Sequence, residues 1–65
     1  MKLNPQQLAT YFLEHGASVR TKEDRQVALD ELESVLQAEI KGQVRLTQKE
    51  VARILNLKAF VSKNL

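Results

Sequence analysis

The sequence predicts an all-α fold, a small domain of three to four helices occupying residues 1–65. Three observations carry this. Apolar residues recur at spacings of three and four along most of the chain. The only glycines, Gly16 and Gly42, fall where those stripes stop. Residues that favour helix starts (Asn4, Thr21, Thr47) stand ahead of each stripe.

A first helix is predicted over 5–15. Asn4 caps it, and Pro5 takes the first helical position, where a missing N–H costs nothing. Leu8 and Phe12 stand one turn apart, Tyr11 and Leu13 widen that apolar face, and Gly16 supplies the left-handed residue that ends the helix. The short stretch "LATYFLEHGASV" looks like one helix of an ankyrin repeat. A solenoid needs stacked copies, and no second copy follows at that family's period. His15 stands alone near the carbonyl end, a partner for the helix dipole rather than a catalyst.

The second helix is predicted over 22–41 and is the longest. Thr21 caps it, and Glu23 and Asp24 sit against its positive end. Ala28, Leu32, Val35, Leu36 and Ile40 form a continuous stripe, while Asp30, Glu31 and Glu33 make an acidic surface elsewhere. That stripe is either the core of the chain or the seam of a homodimer. The linkers 17–20 and 43–46 are short, and any strand pairing between them would be marginal.

A chain of 65 residues buries only about 60% of the surface its unfolded form exposes. With no cysteine and a single histidine, neither a disulfide nor a structural zinc site can supplement the core. Association into a homodimer is the expected source of further burial. No run approaches the ~20 apolar residues that cross a bilayer, and Pro5 interrupts any export leader at Met1–Asn4. A soluble, cytoplasmic protein without a cofactor is expected.

Charge is divided unevenly. From Met1 to Ile40, Lys2, Arg20, Lys22 and Arg25 face seven acids, a net −3. From Lys41 onward, Lys41, Arg45, Lys49, Arg53, Lys58 and Lys63 face Glu50 alone, a net +5. Such asymmetry suggests a polyanion-binding end. The competing account is two ordinary amphipathic helices with solvated charges. No paired carboxylates, phosphate loop or metal-ligand spacing appears, and Glu31 and Glu33 point to different sides of their helix, so an enzyme is not expected. Tyr11, Phe12 and Phe60 read as core rather than as platforms for stacked bases.

The closing segment, "LTQKEVARILNLKAFVSKNL", carries the functional signal. Thr47-Gln48-Lys49-Glu50 is a capping box. The helix that follows is predicted over 48–55, with Val51 and Leu55 facing inward and Ala52 small enough for another helix to cross closely. Asn56 tolerates a left-handed turn better than any residue but glycine, and Leu57 plugs the angle. A last helix is then predicted over 58–65, with Phe60, Val61 and Leu65 inward.

On these residues the segment resembles the helix-turn-helix superfamily, including phage repressors and the central domain of ParB-type partition proteins. The resemblance covers 46–65 only. It rests on "LTQKEVARIL", the turn at Asn56-Leu57 and the Val61-Ser62-Lys63 ending. The turn is one residue short, because Val61 follows Asn56 by five positions where the family has six. The resemblance implies that the last helix enters the major groove of duplex DNA. Lys58, Ser62, Lys63 and Asn64 would then read base or groove edges, and Gln48, Lys49, Arg53 and Arg45 would sit nearer the phosphates. The expected function is thus a small, dimeric DNA-binding transcriptional regulator. The rival is a protein-binding module, an antirepressor or inhibitor, acting through the acidic face of helix 22–41.

Overall fold

A computed structural model describes residues 3–65. Met1 and Lys2, part of the stretch considered for an export leader, lie outside the described residues. The fold is all-α, as expected. Three helices follow one another: α1 (Pro5–His15), α2 (Lys22–Ile40) and α3 (Gln48–Lys63), with no strand among the described residues.

Local chemistry sets nearly every boundary. The Asn4 side chain accepts from the Gln7 N–H at 2.9 Å while the Asn4 N–H donates to Gln7 Oε1 at 3.1 Å. This reciprocal box satisfies two of the amides that a helix start leaves orphaned. The same device opens α3, where Glu50 N–H donates to Thr47 Oγ1 and Thr47 N–H donates to Glu50 Oε1 at 2.8 Å. At the start of α2, Thr21 Oγ1 accepts from Asp24 N–H at 3.0 Å.

The end of α2 is a Schellman motif. The Gly42 N–H donates to the Glu39 carbonyl, and the Gln43 N–H donates to the Ala38 carbonyl at 2.8 Å. Gly42 sits at φ 78, a left-handed conformation in which a Cβ is strained. This turn reverses the chain and delivers Val44, which is buried, into the core.

The core is a single cluster drawn from every helix: Ala9 and Phe12 of α1, Ala28, Leu32, Val35 and Ala38 of α2, and Ile54 and Val61 of α3, with Val44 from the linker. Helix α2 packs against both other helices. The stripe Ala28-Leu32-Val35 is therefore the intramolecular core and not a dimer seam. Ile40, counted in that stripe, is exposed because at 100° per residue it lies about 120° around the helix from Ala28 and about 140° from Val35. Arg25 ties the α1–α2 linker down: its Nη1 donates to the Val19 carbonyl at 2.7 Å.

The expected break at Asn56 is absent. Helix α3 runs without interruption through Asn56 and Leu57, and no non-glycine described residue has positive φ. The helices expected over 48–55 and 58–65 are one helix, so the steep crossing implied by the helix-turn-helix resemblance does not form. Its rotational phase differs accordingly. Ile54 and Val61 are fully buried, with Leu57 packed beside them, whereas Leu55 and Phe60 are each half exposed. Val51 is only partly buried, Leu65 is exposed, and Ala52 faces solvent with no helix crossing it. At 100° per residue Ile54, Leu57 and Val61 share one side of the helix, whereas Val51, Leu55 and Phe60 each fall roughly 90° or more away from it.

Candidate nucleic-acid interface

With Ile54 and Val61 committed to the core, the opposite side of α3 is fixed by geometry. Lys49, Arg53, Asn56, Phe60 and Lys63 succeed one another at intervals of four, three, four and three, all exposed. At 100° per residue they lie within about 40° of a single line. That line is about 21 Å long at 1.5 Å per residue. Flanking it, Gln48, Ala52 and Ala59 are also exposed.

The ridge is cationic for two reasons. It holds Lys49, Arg53 and Lys63, none of which has an ion-pair partner among the described residues. The one acid on the helix, Glu50, is half buried and its carboxylate accepts from the Thr47 N–H, so the capping box holds it off the ridge. The small side chains of Ala52 and Ala59 leave the backbone approachable between the long cations. A shallow depression lined by Lys49, Ala52, Arg53, Asn56 and Leu57 lies along this stretch.

The structure thus brings together three of the residues expected from sequence, Lys49, Arg53 and Lys63, with Gln48 exposed about 100° to one side of Lys49. Arg45 is exposed just ahead of the helix, its backbone N–H donating to Gln6 Oε1 of α1 at 3.3 Å. Three others are placed differently. Lys58 lies about 180° from Lys49 around the helix, and its Nζ is 3.9 Å from Glu33 Oε1 of α2. Ser62 is exposed but only about 40° from Lys58, away from the ridge. Asn64 is the C-terminal cap, and its side-chain amide donates to the Phe60 carbonyl at 2.7 Å.

Two ridge residues escaped the sequence reading, Asn56 as a turn and Phe60 as core. Extending the spacing of three and four through position 56 places both on the ridge. The capability of asparagine for a turn outweighed that signal. Tyr11, also expected in the core, is half exposed and stacks edge-to-face on the buried Phe12, ring centroids 5.8 Å apart.

Elsewhere, no group of acidic or histidine side chains among the described residues is arranged to hold a metal ion. His15 approaches Glu14 at 3.7 Å on an exposed helix end. No described helix is long and apolar enough to cross a membrane. Compared with models of protein families, with characterised proteins and with solved structures, the chain gives no match.

Proposed function

We propose that this chain is a small cytoplasmic DNA-binding regulator that lays α3 as a single helix against duplex DNA. The observation that carries the reading is the continuous ridge Lys49-Arg53-Asn56-Phe60-Lys63, exposed and free of acids. The major groove of B-DNA admits one α-helix, so no second helix crossing is required for access. In this arrangement Lys49, Arg53 and Lys63 neutralise phosphates, and Arg45 extends the same field ahead of the helix start. Asn56, midway along the ridge with an amide capable of bidentate bonding to adenine, is the base-reading candidate, with Gln48 one helical flank away.

The test is fluorescence anisotropy of a labelled duplex titrated with protein at several salt concentrations. Each phosphate neutralised contributes about −0.9 to the slope of log K against log salt, so three ridge cations predict a slope near −3. Lys49→Glu with Arg53→Glu abolishes binding, and Lys58→Gln leaves it unchanged. Absence of binding at low salt, or an equal loss from Lys58→Gln, overturns the reading.

A further inference from the structure

The face of the molecule formed by α1 and α2 carries a trough opposite in character to the α3 ridge. Two adjoining depressions compose it, one of about 600 Å³ and one of about 330 Å³, and Tyr11 and Glu31 line both. The apolar surface comes from Leu3, Leu8, Tyr11 and Val27, of which Leu3, Tyr11 and Val27 are exposed. Along the same trough stand the acids Glu23, Asp24, Asp30 and Glu31, and among the described residues neither lining contains a lysine or arginine.

We infer that the trough is a docking site for the α3 ridge of a second copy of this chain. Three features of the molecule point to that occupant. The charge is complementary, since every charged side chain among the described residues lining the trough is acidic where the ridge presents Arg53 and Lys63. The apolar content matches too: Phe60, half exposed between those two cations, offers an aromatic side chain to a depression floored by Leu8 and Tyr11. Lengths agree as well, because Arg53 to Lys63 spans about 15 Å and the lining that α2 gives the trough, Glu23 to Ser34, spans about 16 Å.

The two surfaces belong to different parts of the fold. The trough has no α3 residue in its lining, and the ridge points away from the core that joins α3 to the other helices. A chain therefore cannot fill its own trough. When one ridge enters one trough, a free ridge and a free trough remain at the two ends. Association of this heterologous kind continues head to tail, into a ring or an open chain, instead of stopping at a symmetric dimer. Its chemistry, an aromatic anchor rimmed by exposed charge pairs, is weak and salt-sensitive.

Sedimentation equilibrium of the whole chain tests this, with two variants that each disable one surface. Asp30→Lys with Glu31→Lys alters the trough, and Phe60→Asp alters the ridge; all three positions are at least partly exposed, and circular dichroism checks that helicity is retained. Tyr11→Arg serves as a second trough variant if the double change unfolds the chain. The wild type is expected to gain mass beyond twice 7.4 kDa as concentration rises from micromolar to millimolar, and to lose that gain in high salt. Each variant alone stays a monomer, while an equimolar mixture of the two forms a dimer and goes no further, because one intact ridge meets one intact trough. A wild type that stays monomeric, or that stops at a dimer, overturns the inference. So does continued growth of either variant, or a mixture that remains monomeric. The readout contains no nucleic acid, so it fails or succeeds independently of the DNA-binding reading.

Discussion

Lys58 Nζ lies 3.9 Å from Glu33 Oε1, on the side of α3 that meets α2 and about 180° around the helix from Lys49 of the ridge. Both side chains remain substantially exposed, so the pair contributes at most about 1 kcal/mol. A double-mutant cycle with Lys58→Gln and Glu33→Gln, read by urea denaturation, is expected to give a coupling energy below about 1 kcal/mol. A coupling of several kcal/mol would mean the pair is buried.

The continuity of α3 has a signature in the sign of one substitution. Asn56 is exposed in a helix interior, where asparagine is a poor helix former. Asn56→Ala should therefore stabilise the protein by about 0.5 kcal/mol, and Asn56→Gly should weaken it by a few tenths. A left-handed turn at this position would reverse both signs, because glycine adopts that conformation freely and alanine does not. Thermal unfolding of the two variants reads the sign.

Neighbouring positions separate the two phases that α3 could take. Ile54 is fully buried, and Ile54→Ala is expected to cost about 2–5 kcal/mol. Leu55, half exposed, should lose less than about 1 kcal/mol on the same truncation. Chemical denaturation of both variants checks the ordering, which is opposite to the one a break at Asn56 requires.

The Schellman turn depends on backbone conformation rather than on packing. At Gly42 an added Cβ would meet no atom within 4 Å, yet φ is +78. Gly42→Ala should cost about 1–2 kcal/mol through the left-handed backbone alone. Asparagine, which supports that conformation, should recover part of the loss. Denaturation midpoints of the two variants measure the difference; equal midpoints would locate the cost in crowding.

Much of the fold was legible locally. Asn4 with Pro5, Thr21 with Glu23 and Asp24, Thr47 with Glu50, and the two glycines announce where helices begin and end, because capping and left-handed turns involve residues within one turn of each other. The Ala28-Leu32-Val35 stripe announced a buried face for the same reason. Composition alone made the candidate interface legible only as a charge imbalance. That composition located the cations in the last 25 residues, but not which of them share a side.

Asn56 shows where local evidence stops. Taken alone, it fits a turn better than a helix interior, so residues 48–65 read as a bent pair of helices although they form a single rod. The choice falls to contacts distant in sequence. Leu32, Val35 and Ala38 of α2, with Phe12 of α1, provide one continuous apolar surface that accepts Ile54 and Val61 together. A straight helix satisfies it while keeping every backbone hydrogen bond through Asn56. Burial of apolar area is collective and depends on which surfaces meet, and no window of residues along the chain contains that information. The caps and stops belong to the amino-acid order; the rotation of α3, and with it the makeup of the cationic ridge, belongs to the packed core.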